Sequence, residues 1–315
     1  GFWLTDWMKP FEKIIEKKWN EWTIGDANTN ITHTSKQKPY CVISFKKWKN
    51  YCLETKNHLK IENKQVHQYF SFKNYFKIIT TDKKEFYAEK IYDSRSVKEK
   101  NGELIQNFFG INIKTADHTF NEKKLTLMYF TQDSDILHFI YILPFSHNKA
   151  LVESTVFSKN AFDEIWFRKK INDYLKLNNI DKFQENGREE GIIPMFFNDE
   201  VKSLNKNIIN IGIRGGACKP STGYAFSFLI KQIQLLNKSN KNHVTVHKFI
   251  ERKMDKIFIN FLKNNKESGK SFIKLASNLN GDEFQSFMMG ESNFLTKLKI
   301  IKTMPKMPFI KEIFN

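Results

Sequence analysis

Residues 142–158 read ILPFSHNKALVESTVFS. Two apolar, β-branched runs flank the turn-type residues around Ser146–Asn148. That is the pattern of two short strands joined by a turn. One acid, Glu153, stands alone inside the second run. Strand alternation puts Leu151, Glu153, Thr155 and Phe157 on one face and Val152, Ser154 and Val156 on the other. Neither face has the polar content of a solvated surface. Glu153 is therefore either an edge residue facing water or a group withheld from it. In the second case desolvation raises its pKa, keeps it protonated near neutral pH and makes it a proton donor.

Working outward, FFGINIKT, KLTLMYF and ILHFIYILP precede ALVESTVFS from Phe108 onward. Successive strands at close spacing argue for an antiparallel sheet. Upstream, QVHQYFSF, YFKIITT and EFYAEKIYDS read as hairpins or a meander, and YCVISF (40–45) as a strand. Apolar spacing predicts a short amphipathic helix or turn over 10–22 and helices over 45–59 and 161–179. In the last of these, Phe162, Ile165, Trp166, Ile171 and Leu175 face inward. A strand over 207–213 and a helix from about Thr222 to Leu236 follow. The clearest amphipathic helix spans 243–264, with Val246, Phe249, Ile250, Ile257, Phe258, Phe261 and Leu262 on its inner face.

The chain has 315 residues, 40% of them hydrophobic and 27% charged, a globular composition. Its longest apolar run, Leu137–Phe145, is far short of a membrane span. The first twenty residues begin apolar but then carry charges throughout, unlike a secretory signal. Cys41, Cys52 and Cys218 are odd in number and show no CxxC spacing, which argues for a reducing cytoplasm without disulfides or zinc. Net charge is +17, yet only five of the 51 basic residues are arginine. Nucleic-acid readers lean on the arginine fork, so a nucleic-acid partner is not expected. A lysine-rich surface suits anionic lipid headgroups, although a Lys-, Asn-, Ile- and Phe-rich composition bias yields the same charge.

The other stretch that bears on chemistry is IGIRGGACKPSTGYAF, Ile211–Phe226. Gly212, Gly215 and Gly216 permit a tight turn and close approach of backbone to a ligand. Pro220 followed by Ser221 or Thr222 suits a helix start whose amides favour a phosphate or an electron-rich ring oxygen. An ordinary capped helix after a glycine-rich turn would read the same way. His33, His118, His138 and His147 are scattered, without metal-ligand spacing. Glu189 and Glu190 are adjacent, so they point apart on any regular element, which leaves room for one of them to be functional. Asp93 and Arg95, in IYDSR, suit a local ion pair.

Taken together and in order, IYDSR, LIQNFFGINIKT, LPFSHNKALVESTVFS, REEGIIPM, IGIRGGACKPSTGYAF and FMMGES…LKIIKTMPKMPFIKEIF resemble the flavin-dependent lycopene cyclases of carotenoid-producing bacteria over nearly the whole chain. The resemblance implies an α+β or α/β fold, with a Rossmann-like FAD-binding part, an antiparallel substrate-binding sheet and C-terminal helices. Flavoprotein hydroxylases and geranylgeranyl reductases share that fold. It divides the chain into 1–100 (rest of the FAD-binding part), 101–200 (substrate sheet and helix), 201–240 (second flavin contact) and 241–315 (helical, membrane-facing). The family's GxGxxG start is absent from this sequence, so the expectation is a fragment that lacks the pyrophosphate cradle.

The family's Val-Glu-Asp-Thr or Glu-Glu-Thr motif corresponds to Val152-Glu153-Ser154-Thr155, which makes Glu153 the implied catalytic acid. Ser154 replaces the second acid and removes a neighbouring charge. Gly212, Gly215, Gly216, Pro220, Ser221, Thr222 and Gly223 are the implied flavin contacts, and no metal is implied. The implied reaction is a non-redox isomerisation: a proton from Glu153 starts ring closure at an end of lycopene, with reduced FAD stabilising the cation, to give a β-ionone end group. A bilayer-resident substrate implies a cytoplasmic enzyme held peripherally on the membrane, through the lysine-rich face of 243–264 and the basic tail 297–315. The rival readings are a related FAD-dependent isoprenoid reductase or hydroxylase, and a non-enzymatic basic lipid-binding protein.

Overall fold

A computed structural model of the chain describes residues 1–54, 59–97, 100–116, 118–131, 136–197, 203, 205–239, 241–264 and 268–304. The first strand, β1 (Phe2–Trp3), is followed by a 3-10 segment (Asp6–Ile14), then β2 (Lys17–Trp19), β3 (Glu21–Gly25), β4 (Asn30–Thr34), β5 (Tyr40–Val42) and α1 (Phe45–Glu54). Next come β6 (Val66–Ser71), β7 (Phe76–Thr80), β8 (Glu85–Ala88) and β9 (Ile91–Asp93). The central strands are β10 (Ile105–Thr115), β11 (Lys124–Phe130), β12 (Leu137–Ser146) and β13 (Lys149–Ser158), then α2 (Glu164–Leu177) and β14 (Phe183–Pro194). The last part holds β15 (Ile208–Asn210), α3 (Phe226–Lys238), α4 (Phe249–Asn264), α5 (Ser268–Asn278), α6 (Gly281–Met288) and α7 (Phe294–Thr303).

Among the described residues the main layer is a seven-stranded sheet, ordered β14-β10-β13-β12-β11-β3-β4. Strands β10 to β14 pair antiparallel, as the short strand spacing predicts. β3 then adds to β11 in parallel, so the sheet is mixed. The reading of 10–22 as one short helix or turn holds only to Ile14, where the 3-10 segment ends; strands follow. Trp19 and Trp22 sit on β2 and β3, strands of different sheets, and both are fully buried. Their helical spacing comes from two strands that each send one ring into the same core. The expected meander is present as β6-β7-β8, and β9 pairs with β15 in parallel.

The middle strands of the sheet, β10, β12 and β13, are buried on both faces. On one, Phe109, Ile111, Ile140, Val152 and Val156 pack on α2 through Phe167, Ile171 and Leu175. Asp163 caps that helix by accepting the Trp166 N–H at 2.9 Å, a bond of about 1 kcal/mol. The inward stripe runs 167, 171, 175 at a spacing of four. Ile165 therefore faces the opposite way and is 79% exposed, contrary to expectation. On the other face, Leu151, Phe157, Phe139 and Leu143 join a larger core with Trp3, Trp22, Phe258, Phe272 and Phe284. The N-terminal strands are tied into the C-terminal helices there. His33 Nε2 meets the Ala276 carbonyl at 2.9 Å, and Ser35 Oγ–H donates to Asp282 at 2.7 Å. A Cβ on Gly281 would lie 2.2 Å from the Thr34 carbonyl oxygen, so only glycine allows that approach.

Two helix readings change. The helix placed over 243–264 begins at Phe249; Val246 is buried ahead of it, while Phe249 and Ile250 are exposed. Its buried face carries two acids, Glu251 and Asp255, each paired with a lysine. The helix expected from Thr222 begins at Phe226, without a side-chain cap. Residues 55–58 of the helix read over 45–59, and 305–315 of the basic tail, lie outside the described residues. Ile171 has no exposed surface. Ile171→Ala should lower unfolding stability by about 2–5 kcal/mol in urea titration; a loss under ~1 kcal/mol would mean that α2 does not carry the sheet.

Candidate functional site

Glu153 sits in the middle of the sheet. Across the strands the register runs Tyr141, Glu153, Gly110, Glu189, from β12 through β13 and β10 to β14. These four positions share one face. Glu153 is 9% exposed, and its Oε1 accepts the Thr155 hydroxyl at 2.6 Å. Gly110 leaves its place in the row without a side chain; a Cβ there would stand 3.2 Å from the Glu153 Cβ. Over that gap the Glu153 and Glu189 carboxyl groups come within hydrogen-bonding reach. Burial, reinforced by the charge and hydrogen bond of Glu189 and opposed by the Thr155 bond, pushes Glu153 up to about 8. Near neutral pH it is a neutral acid. On its other side the Tyr141 and Tyr40 hydroxyls are 3.0 Å apart, and burial raises both pKa values, so both stay protonated.

The replacement of the motif's second acid by Ser154 does not remove a carboxylate partner for Glu153. Ser154 faces α2, where His138 Nε2 contacts its Oγ at 2.7 Å and His138 Nδ1 contacts Thr131 Oγ1 at 2.7 Å. The partner comes instead from β14, about 36 residues downstream.

The glycine-rich segment is held by α3 and β9. Gly212, Gly216 and Gly223 adopt φ of +66, +77 and +70, a region open mainly to glycine. Gly212 N–H donates to Gln232 Oε1 at 2.7 Å, and Gln232 Nε2–H donates to the Gly215 carbonyl at 2.7 Å. A Cβ on Gly215 would strike the Asn210 oxygen at 2.3 Å. Arg214 and Arg95 both pair with Asp93, at 3.4 and 2.7 Å, which brings IYDSR and IGIRGG together. Lys219, buried, pairs with Asp255 of α4; Asp255 also accepts the Ser221 hydroxyl at 2.6 Å. Ser221 is thus a tie to α4 rather than the helix cap that the sequence suggests.

Pro220, Ser221, Thr222 and Gly223 form a buried turn on β10. A Cβ on Gly223 would fall 1.9 Å from Gln106 Oε1. Gln106 and Gly110 lie on the same face of β10, four residues or about 13 Å apart. The turn and Glu153 therefore belong to one face of one sheet. Aromatic contacts run between them: Tyr224 to Trp3 at 5.6 Å, Trp3 to Tyr40 at 4.9 Å, then the Tyr40–Tyr141 hydroxyl contact. Thr222 Oγ1 and Gln106 Oε1 are buried without a hydrogen-bond partner among the described residues. With the uncapped amides of α3, they are polar groups of the kind that pair with the edge of a planar, hydrogen-bonding ring. A cavity of about 310 Å³ lies beside the turn, lined by Gly215, Gly216, Pro220, Phe196, Phe197 and His247. Gly212, Ser221, Thr222 and Gly223 are not on its wall.

Tyr40, Tyr141, Gln232 and Asp255 were not singled out in the sequence. Gly110 carried a readable signal, a glycine inside a strand pattern, which marks a bulge or a close approach. Among the described residues there is no cluster of three metal-ligating side chains, and no helix is long and apolar enough to cross a membrane. Because the folded state raises the Glu153 pKa, this group's contribution to stability is full below about 4.5 and is lost as pH rises through about 8. Glu153→Gln, which cannot ionise, should gain thermal stability on wild type across that window. Melting curves that stay parallel from pH 4.5 to above 8 would show that the carboxyl is not desolvated.

A geranylgeranyl bacteriochlorophyll reductase-like protein from Thermoplasma acidophilum is 12% identical, with a TM-score of 0.59 over 100% of this chain and 88% of that one. A flavoprotein/dehydrogenase from Cytophaga hutchinsonii is 13% identical, with a TM-score of 0.53 over 90% and 83%. The halogenase PltM, in complex with phloroglucinol and FAD, is 9% identical, with a TM-score of 0.54 over 93% and 76%. At such identities the likeness is one of fold, and it is the α+β fold shared by reductase-like and halogenase flavoproteins. No curated protein sequence matches the chain. The family model described as "Lycopene cyclase protein" matches residues 2–313. With that match over nearly its whole length, the chain belongs to the lycopene cyclase family.

Proposed function

We propose that the protein closes β-ionone rings at the ends of lycopene by proton-initiated, non-redox isomerisation. The observation that carries this reading is Glu153, a carboxylic acid kept neutral on an apolar sheet face in a chain of this family. Glu153 gives its proton to the terminal double bond, whose electron pair forms the new C–H bond and leaves a tertiary cation. The internal double bond supplies its pair to that cation and closes a six-membered ring. A ring C–H bond then breaks, its pair becomes the ring double bond, and the proton returns to a carboxylate. Atoms and electrons balance without oxidant or reductant.

Leu151, Phe139 and Phe157 keep water from the acid, which matters because water would trap the cation as an alcohol. The aromatic faces of Tyr40 and Tyr141 are positioned to attract a cation formed beside Glu153. The residues that would hold FAD are Gly212, Gly215, Gly216, Pro220, Ser221, Thr222 and Gly223, with the first amides of α3. Reduced FAD, when bound, supplies a negative, electron-rich ring that stabilises positive charge.

A substrate dissolved in the bilayer calls for a peripheral docking face on the cytoplasmic side. Phe249 and Ile250 at the start of α4, and Phe294, Leu295 and Ile301 on α7, are exposed. The Lys297–Glu251 pair, at 3.4 Å, joins the first turns of these two helices, and Lys253 lies 4.8 Å over the Phe249 ring. Apolar side chains among lysines suit an anionic lipid surface.

Pigment extracted from lycopene-accumulating cells that express the protein should shift from lycopene to cyclised product, and Glu153→Gln should cut conversion by at least ~100-fold. Unchanged lycopene with wild type, or an active Gln variant, rejects the reading. In flotation with phosphatidylserine-containing vesicles the protein should rise with the lipid, and Phe294→Asp with Leu295→Asp should leave it at the bottom. Equal flotation of both forms would remove α7 from the docking face.

A further inference from the structure

We propose that Glu189 is the positioning partner of Glu153: across Gly110 the two side chains share a single proton, which the reaction uses. This rests on the assignment of Glu153 as the acid under the proposed function.

The geometry comes from three strands. Glu153 and Glu189 both stand opposite Gly110, one on either side of it, and on one face. A side chain at 110 would begin 3.2 Å from the Glu153 Cβ; with glycine there, the Glu189 carboxyl group comes within hydrogen-bonding reach of Glu153. They differ in access. Glu153 is buried, whereas Glu189 is exposed on β14, the edge strand of the sheet. Its neighbour Arg188 points to the opposite face and pairs with Glu164 at 3.0 Å. No salt bridge reaches Glu189 among the described residues. The groups facing Glu153 are Glu189 on β14, Thr155 on its own strand, Tyr141 on β12 and Tyr40 on β5. Glu189 is the one other carboxylate in that set.

A carboxyl group this close disfavours a charge on Glu153, so the Glu153 proton is held more tightly. The buried member keeps the proton, because it bears the larger desolvation penalty when charged. When Glu153 passes its proton to the substrate, its buried carboxylate is left facing the Glu189 carboxyl group. That proximity raises the carboxylate's affinity for a proton and favours its taking one from the ring cation. As the ring C–H bond breaks, its electrons form the ring double bond and the proton restores the pair. The same proximity that loads the acid thereby helps to complete the reaction.

The test reads the proton directly and the reaction separately. The infrared carbonyl band of a protonated carboxylic acid is followed against pH in the whole protein, and its loss in Glu153→Gln identifies it. In wild type the band should persist to about 8. In Glu189→Gln, whose exposed position spares the fold, the band should vanish at lower pH. The alkaline limb of cyclisation should move with it, with KM unchanged and turnover about tenfold lower for each unit moved. Glu189→Asp should restore most of the shift. A band and a pH limb that stay where wild type has them in Glu189→Gln overturn the proposal. A band that shifts as described, with no turnover of lycopene by wild type, upholds the shared proton and rejects the cyclisation.

Discussion

A carboxyl group set among Leu151, Phe139 and Phe157 has to stay neutral or bear the cost of an unsolvated charge. Much of the surrounding structure follows from that constraint. The strand carrying Glu153 is central in the sheet, covered by α2 behind and by the large mixed core in front. Thr155 gives the carboxyl its one short hydroxyl bond, and Gly110 leaves room for a second carboxyl group instead of a packing side chain. A side chain at 110 would instead crowd Leu151 at 3.1 Å and Glu153 at 3.2 Å. The sheet retains a local weakness where its chemistry is placed, a common arrangement at functional sites.

The glycine-rich turn reaches the same face by a different kind of support. Its backbone is fixed by side chains that arrive from elsewhere: Gln232 from α3, Asp93 from β9 and Asp255 from α4. The Lys219–Asp255 pair is fully buried. Such a pair adds little net stability over an apolar equivalent, yet removing one member leaves a bare charge in the core. It fixes where the turn lies rather than how tightly the protein folds.

The strand run around Glu153 was legible because alternation and β-branching mark a strand whatever covers it, and the glycine-rich turn because glycine answers to backbone geometry. What the sequence hid was long-range. The parallel addition of β3 to β11 leaves no local trace, and Trp19 and Trp22 imitate a helix stripe. The buried acids of α4 read as a solvated face until Lys219 and Lys297 are seen opposite them. Glu189 sits in an exposed, charged stretch of β14, and its meeting with Glu153 depends on the register of three strands. The resemblance to a family assigned a role to Glu153, but the carboxylate that tunes it lies on another strand.

The strap formed by β3 and β4 carries a consequence for biosynthesis. β3 pairs with residues 124–130, and β4 docks on α5 and α6 through His33, Ser35 and the glycine contact at 281. As the chain leaves the ribosome, β3 and β4 must wait, Trp22 and His33 unshielded, until α5 and α6 emerge. High contact order of this kind slows folding and lengthens exposure to aggregation. Yield of the native protein should therefore respond to chaperone supply and growth temperature more than its finished stability would suggest.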